Sequence, residues 1–205
     1  MREAGPVDTN GLRVAAVVLA AGSSRRLGQP KQLLPFRGAT LLDATLDRVR
    51  SFSFAQTIVA LGGAAPEVRT TVDLVGCTVV DSVHHTEGCS SSIVASLAAI
   101  ADDVDGFLLF LGDQPDVAAS TVDRLLAVAG HSEIAVVDYT DGSGHPFWFA
   151  RSMFGPLGEL HGDKAVWKLL ESGRFETAAA TVDASVPLDV DTWEDYERLL
   201  ATEPA

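Results

Sequence analysis

A short apolar run that leads into a loop of glycine, serine and arginine is the feature that most constrains this chain. Residues Val14–Ala20 are all Val, Ala or Leu, which predicts a buried strand. The loop from Gly22 to Lys31 contains two serines, two arginines and a second glycine. Backbone N–H groups in such a loop can converge on an anion, and arginine and lysine add charge. Phosphate binding is one interpretation of the loop, and a solvated surface loop after a core strand is the other.

Two common nucleotide motifs are absent from this loop. It lacks the G-K-[ST] ending of a Walker A loop, and it lacks the G-x-G-x-x-G of a dinucleotide-binding turn. The formal net charge of the chain is −13, so a general nucleic-acid binder is not expected. An acidic protein that binds a polyanionic nucleotide has to concentrate its cations, and four of the 15 Lys and Arg residues lie between Arg25 and Arg37.

Strand patterns alternate with helix patterns along most of the chain. The segments expected to be strands are residues 14–20, 57–61, 77–80, 107–111, 134–139, 147–150 and 177–182. The helices are expected from Thr40, over 66–72, 93–101, 120–130 and 164–172, and from Thr192. This alternation predicts a single-domain, three-layer α/β fold with a mostly parallel sheet. Ligands of such sheets bind at the carboxyl ends of the strands.

Local signals mark where several helices begin. Thr40 with Asp43, and Thr192 with Asp195, have the spacing of a capping box. Ser120 with Asp123 has the same spacing, and Asp163 is expected to cap the helix that follows it. The apolar residues Tyr196, Leu199 and Leu200 are expected to hold the last helix against the protein.

Acidic residues follow the ends of two apolar segments. Asp113 comes after the wholly apolar run 107–111, and Mg²⁺ prefers carboxylate and phosphate oxygens. A turn or helix-capping role suits Asp113 equally well. Asp189 and Asp191 form an Asp-x-Asp pair that would share one face of a strand. Sequence alone does not decide which of these two acids would contact a metal.

A serine-rich segment precedes one of the expected helices. Ser90, Ser91 and Ser92 stand at its start, where hydroxyls and free N–H groups can cap the helix or meet a ligand. Residue chemistry alone favours the ordinary cap. His84 and His85 are adjacent, so in a strand they would face opposite ways. They are interpreted as surface or loop histidines.

The loop Leu19-Ala20-Ala21-Gly22-x-Ser24-x-Arg26-Leu27-Gly28-x-x-Lys31 resembles the signature loop of nucleotidyltransferases with a Rossmann-like fold. It is most similar to that of the molybdenum cofactor cytidylyltransferase family, although the family often has Met where Leu27 stands. Gly112-Asp113-Gln114-Pro115 resembles the metal-binding motif of the family, and the resemblance extends from about Val14 to Leu200. It implies that residues 14–205 form the NTP-transferase domain. The start of the chain is polar and contains Pro and Gly, so residues 1–13 are expected to be a loose tail.

The resemblance also implies roles for individual positions. Arg26, Lys31 and Asp113 would be catalytic, and Asp113 and Asp191 would bind Mg²⁺. The acceptor would meet His145, Pro146 and Lys164. The positions implied to bind the nucleotide are Leu19, Ala20, Ala21, Gly22, Ser23, Ser24, Arg26, Lys31, Gly62, Ser90 and Ser91.

The implied reaction moves CMP from CTP to the terminal phosphate of the molybdenum-pterin cofactor and releases pyrophosphate. A molybdoenzyme or its chaperone would be a further partner. Ala21 favours CTP over GTP, because guanylyl-transferring relatives have glycine there and a methyl group takes room that a purine would use. Guanylyl or other nucleotidyl transfer to a different acceptor, and nucleotide binding without transfer, are the alternatives.

The remaining features concern location. No apolar run approaches the length of a transmembrane helix, and the polar start of the chain does not resemble a signal peptide. Cys77 and Cys89 form neither a metal motif nor a disulfide framework. A cytoplasmic protein with two reduced thiols, no membrane contact and no nucleic-acid partner is the expectation.

Overall fold

The computed structural model describes residues 11–84, 88–162 and 164–202. Within these residues the chain forms one seven-stranded sheet and one small hairpin. The strands of the large sheet are β1 (Val14–Ala20), β4 (Gln56–Leu61), β5 (Cys77–Asp81), β6 (Gly106–Leu111), β7 (Ile134–Tyr139), β8 (Gly142–Ala150) and β9 (Thr177–Thr181). The hairpin strands are β2 (Pro35–Phe36) and β3 (Ala39–Thr40).

Seven α-helices lie between or after the strands within the described part of the chain. They are α1 (Leu41–Arg50), α2 (Ala65–Thr71), α3 (Cys89–Leu97), α4 (Ala119–Ala129), α5 (Phe154–Gly158), α6 (Ala165–Glu171) and α7 (Trp193–Leu200). Short 3₁₀ turns occupy Lys31–Leu33 and Arg151–Met153.

The strands of the large sheet follow the order β5-β4-β1-β6-β8-β7-β9. The pairs β5–β4, β4–β1, β1–β6 and β7–β9 are parallel. Strand β8 is antiparallel to both of its neighbours, β6 and β7. The mostly parallel α/β fold predicted from the sequence is therefore confirmed, with a single reversed strand inside the sheet.

Helices cover both faces of the sheet because successive strand residues point to opposite sides. On one face Ala16 and Val18 belong to the apolar core that includes residues of α1, α2 and α4. On the other face Ala15 and Val17 belong to the core that includes residues of α3, α5 and α6. A third and smaller core joins α7 to the hairpin, with Phe36 and Tyr196 at its centre. This third core lies beside the loop that follows β1.

Two of the predicted helix starts are confirmed in detail. Thr40 and Asp43 form a reciprocal capping box on α1, and Thr192 and Asp195 form one on α7. Tyr196 and Leu199 are buried, but Leu200 is half exposed and does not hold the helix down as predicted. Leu200 lies one residue beyond Leu199, about 100° around the helix, and this rotation turns it toward solvent.

Three other helix starts differ from the prediction or lie outside the described residues. Helix α4 begins at Ala119, and its N-cap Ala118 makes no side-chain bond, so Ser120 lies inside the helix. Helix α3 begins at Cys89 after Gly88, which places the three serines within its first turn. The predicted cap Asp163 lies outside the described residues, as does His85. His84 is exposed in a turn, as predicted.

The backbone of Arg13 pairs with Asp105, the residue that precedes β6. Its N–H donates to the Asp105 carboxylate at 2.7 Å, and the Asp105 N–H donates to the Arg13 carbonyl at 2.8 Å. The predicted boundary at residue 14 between tail and domain stays a prediction.

None of the helices in the described ranges is long and apolar enough to cross a membrane.

Gly106 provides a test of sheet packing. A Cβ atom at this position would collide with the Phe149 carbonyl and the Trp148 ring. We expect Gly106→Ala to lower the free energy of unfolding by about 1–3 kcal/mol, because the crowded strands have to shift. Urea denaturation measures this loss. Gly155→Ala is the matched control, because a Cβ at Gly155 in α5 meets nothing within 4 Å. An equal loss in both variants would contradict the packing argument.

Candidate active site

The sheet topology brings the candidate residues to one edge. Strands β1 and β6 are parallel neighbours, and Leu19 is paired with Leu111 at their carboxyl ends. The loop after β1 and the turn after β6 therefore begin side by side. The Gly112 N–H donates to the Leu19 carbonyl at 2.9 Å, which joins the two segments directly.

The loop Gly22–Lys31, here called the basic loop, is shaped by its own hydrogen bonds. Ser24 and Gly28 have positive φ angles of 48° and 71°, which close the loop in two tight turns. The N–H groups of Leu27 and Gly28 both donate to the Ser24 carbonyl, and the Lys31 N–H donates to the Ser24 hydroxyl at 2.9 Å. Ser24 thus has a structural role within the loop.

Gln32 fastens the start of the basic loop, and sequence reasoning did not single it out. Its side chain is buried, and its amide nitrogen donates to the carbonyls of Ala20 at 2.6 Å and Gly22 at 3.2 Å. The burial of this glutamine is visible only in the structure, so the sequence offered no signal for its role. The amide thereby fixes the path of the backbone that lines the cleft.

Gly62 supports the same loop by being small. A Cβ at Gly62 would lie 2.5 Å from the Ala21 carbonyl oxygen and 3.0 Å from the Ala21 Cβ. Contacts that short require the backbone to shift, so any larger residue at position 62, directly after β4, displaces Ala21 before the basic loop. The structure thus places Gly62 against Ala21, behind the cleft.

Four charged side chains meet at the carboxyl ends of β1 and β6. The Lys31 ammonium lies 2.6 Å from an Asp113 carboxylate oxygen and 3.2 Å from Asp191. The second oxygen of Asp191 lies 2.7 Å from the Arg26 guanidinium. The structure therefore brings together the two cations and two acids that the sequence resemblance had singled out from three distant segments.

Lys31 is firmly charged in this arrangement. Burial alone would lower the pKa of its ammonium group, but the attraction and hydrogen bonds of Asp113 and Asp191 outweigh burial and raise that pKa. The side chain is only 16% exposed, so its charge is screened weakly by solvent.

The segment before α7 is held against the turn after β6. Asp113 accepts a hydrogen bond from the Val190 N–H at 3.0 Å, and the Gln114 amide donates to Asp189 at 2.7 Å. Burial, together with the nearby Asp113 carboxylate, raises the pKa of Asp189 to about 6. Three acids therefore face this edge against two cations, which leaves a surplus of negative charge.

A cleft of about 560 Å³ opens beside this charged group. Its lining residues among those singled out from sequence are Leu19, Ala20, Ala21, Gly22, Ser23, Lys31, Asp113, Asp189 and Asp191. Ser92 of the serine-rich segment also lines it from the first turn of α3, and so does Cys89, which was not predicted to be a site residue. Ser90 and Ser91 instead line a neighbouring groove of about 390 Å³. At about 100° of rotation per residue, Cys89 and Ser92 share one side of α3, and Ser90 and Ser91 lie on the other.

The three residues expected on the acceptor side lie in different environments. Pro146 is buried, and its contact with an acceptor stays a prediction. Lys164 is exposed at the start of α6. The His145 ring packs on Phe147 with 4.2 Å between ring centroids, and burial lowers the pKa of His145 to about 4. His145 precedes the part of β8 that pairs with β6, so it lies near the carboxyl end of β6.

The donor set at this edge suits a hard divalent cation. Asp113 and Asp191 both contact the Lys31 ammonium, so their carboxylates lie close together. An ion between them would have only carboxylate oxygens as protein ligands. No group of three or more His, Cys, Asp or Glu side chains in the described ranges could hold a metal unaided. Mg²⁺ commonly binds through one or two carboxylates plus substrate phosphates, so a site with two acids matches its usual coordination.

Comparison with protein families gives one match over most of the chain. Residues 16–179 match the model described as MobA-like NTP transferase domain. A relative from Paenarthrobacter nicotinovorans, named nicotine blue oxidoreductase, is 30% identical over 94% of this chain and 99% of its own length. Purine catabolism protein PucB from Bacillus subtilis is 29% identical over 88% of this chain and 93% of its own length.

Solved structures agree with that match. Rv0371c from Mycobacterium tuberculosis is 52% identical, with a TM-score of 0.87 over 93% of this chain and 99% of its own. Its complex with manganese superposes with a TM-score of 0.84 at 49% identity over 93% of this chain and 100% of its own. A nucleotidyl transferase from Methanothermobacter gives a TM-score of 0.74 at 28% identity over 92% of this chain and 96% of its own.

The lowered pKa of His145 predicts sensitivity to acid. The unfolded chain binds a proton at this imidazole near pH 6.5, but the folded protein does so only near pH 4. Stability should therefore fall as the pH drops through this window, because protonation favours the unfolded chain. We expect His145→Gln to lose less stability than the wild type between about pH 7 and pH 4.5. Urea unfolding at several pH values measures the difference, and parallel curves would contradict the lowered pKa of His145.

Proposed function

The chain belongs to the MobA-like NTP transferase family, and we propose that within this family it transfers CMP from CTP to the terminal phosphate of the molybdenum-pterin cofactor. Nucleotidyl transfer is the general activity of the family, whereas the base and the acceptor are the proposal. The observation that carries it is the meeting of Lys31 and Arg26 with Asp113 and Asp191 beside a cleft. Such a group offers cations for a triphosphate and oxygens for a metal ion.

We assign the metal to Mg²⁺, held by Asp113 and Asp191. The complex of Rv0371c with manganese supports a divalent ion, because that protein is 49% identical to this chain. When bound, Mg²⁺ would neutralise negative charge on the phosphates and so favour displacement of pyrophosphate. The side chain of Asp113 is the more rigidly held of the two, because it is 6% exposed and the Val190 N–H bonds to one of its oxygens.

The protein's own part in the reaction is alignment and charge neutralisation. An oxygen of the acceptor phosphate forms a bond to the α-phosphorus of CTP, and the bond from that phosphorus to the bridging oxygen breaks, so pyrophosphate leaves. The attacking phosphate is already an anion and needs no base. Lys31 and Arg26, which pair with the two acids in the free protein, would hold the triphosphate and stabilise charge on the departing pyrophosphate.

The base is assigned from Ala21, the residue that precedes the basic loop. Ala21 lines the cleft and is nearly buried, with its Cβ backed by Gly62. Because a residue that is packed from behind cannot retreat, its methyl group limits the space for a base. A pyrimidine is smaller than a purine and avoids this obstacle.

On the acceptor side we assign contacts to His145 and Lys164. Lys164 is exposed and carries the positive charge that an acceptor phosphate requires. The neutral imidazole of His145 offers one donor and one acceptor near the end of β6. A molybdoenzyme or its chaperone would receive the product.

The decisive experiment measures pyrophosphate release with each of the four nucleoside triphosphates and the molybdenum-pterin acceptor. We expect kcat/KM for CTP to exceed that for GTP by about tenfold or more, since one methyl group discriminates by about 1–3 kcal/mol. A ratio near one, or a preference for GTP, would reject cytidylyl transfer in favour of the guanylyl alternative. Binding of CTP without any pyrophosphate release would support a non-catalytic protein.

Asp113 provides the test of the metal site. We expect Asp113→Asn to lower kcat by about a hundredfold or more, because an amide is a poor ligand for Mg²⁺. The change keeps the shape of the side chain, so far-ultraviolet circular dichroism should match the wild type. Asp116→Asn is the matched control, since Asp116 pairs with Arg37 outside the cleft. Mg²⁺-dependent turnover close to the wild-type value in Asp113→Asn would overturn the assignment.

A further inference from the structure

The two acids of the Asp-x-Asp pair lie in a segment that has no regular secondary structure. Residues 182–192 between β9 and α7 form neither helix nor strand. Three hydrogen bonds tie this segment to the turn after β6. The Val190 N–H donates to Asp113 at 3.0 Å, and the Gln114 amide donates to the Pro187 carbonyl at 3.0 Å and to Asp189 at 2.7 Å. Two of the three bonds therefore depend on one glutamine side chain.

The orientation of the Gln114 amide is fixed by its partners. Both the Pro187 carbonyl and the Asp189 carboxylate are acceptors, so the amide nitrogen has to face them. Gln114 is 3% exposed, and its amide oxygen has no hydrogen-bond partner among the described groups. A buried oxygen without a partner is unfavourable. The site thus retains an unsatisfied atom in order to keep both donors directed at the segment.

The two acids of the pair have different partners. One oxygen of Asp189 is bound by Gln114, whereas the two oxygens of Asp191 meet Lys31 and Arg26 of the basic loop. We infer that Gln114 is a positioning residue, that Asp189 is the anchor it grips, and that Asp191 is the acid that serves the metal. This inference rests on the proposed function.

The hydrogen bonds from Gln114 to the segment fix the spacing between Asp191 and Asp113. These acids come from different segments, and a metal ion shared by both tolerates only a small change in their separation. Without the Gln114 donors, the Val190–Asp113 bond would be the remaining one of the three. The segment would then be held by that bond, by the buried Val190 side chain and by the ion pairs of Asp191, so the position of Asp191 relative to Asp113 would be less tightly fixed.

The test removes the donors and keeps the volume. In Gln114→Leu we expect the dissociation constant for Mn²⁺, measured by electron paramagnetic resonance with CTP present, to rise by about tenfold or more. We expect kcat to fall by about the same factor, with KM for CTP within about twofold of the wild type. Unchanged Mn²⁺ affinity in Gln114→Leu would overturn the inference.

Gln56→Leu is the matched control. The Gln56 amide also donates to a distant carbonyl, that of Ala99, at 2.8 Å, but it lies on β4 away from the cleft. This variant should lose stability and keep its Mn²⁺ affinity. Equal loss of Mn²⁺ affinity in both variants would show a general structural effect and contradict the positioning role.

The acids are compared with each other in a second pair of variants. Asp189→Asn still offers an oxygen to Gln114, so it should keep at least about ten times the activity of Asp191→Asn, which loses a metal ligand. Comparable activity in the two variants would reject the division of roles.

If the wild type itself neither binds Mn²⁺ with CTP nor releases pyrophosphate, then the proposed function fails. The proposed function survives if only the variant comparisons fail.

Discussion

The ion pair between Lys31 and Asp113 is the interaction on which the site depends. Its atoms are 2.6 Å apart, and both side chains are largely withdrawn from water. A buried carboxylate is costly unless it is paired and hydrogen-bonded, so Asp113 requires both Lys31 and the Val190 N–H. Because these three groups come from different segments, one carboxylate joins the loop after β1, the turn after β6 and the segment before α7.

The cations that pair with these acids have one role in the free protein and a second proposed role with bound nucleotide. Lys31 and Arg26 satisfy the acids in the free protein, and the same cations are suited to hold a triphosphate. Burial, together with the nearby Asp113 carboxylate, raises the pKa of Asp189 to about 6. The surplus of acids over cations at this edge favours the arrival of a further cation. Charges that are imperfectly balanced within a cleft commonly indicate a binding site.

Local signals in the sequence predicted much of the fold. The strands β1 and β7 have the predicted bounds, and the capping boxes at Thr40 and Thr192 formed, because strand pattern and capping chemistry act between near neighbours. The start of α4 was misplaced, since the spacing of Ser120 and Asp123 imitates a capping box that the structure does not make. The resemblance identified Arg26, Lys31, Asp113 and Asp191 before their contacts were known.

The sequence by itself determined the α/β class, the strand that starts the fold and the chemical types gathered in its loops. The tertiary structure decided which of those groups meet. Gln32 and Gln114 act on carbonyls and carboxylates that only folding brings near, so no local pattern indicated them. The serine-rich turn was visible in the sequence, but which serine faces the cleft depends on the residue at which α3 begins. The two acids of Asp-x-Asp are alike in sequence and differ in the structure, because Gln114 reaches one and Lys31 the other.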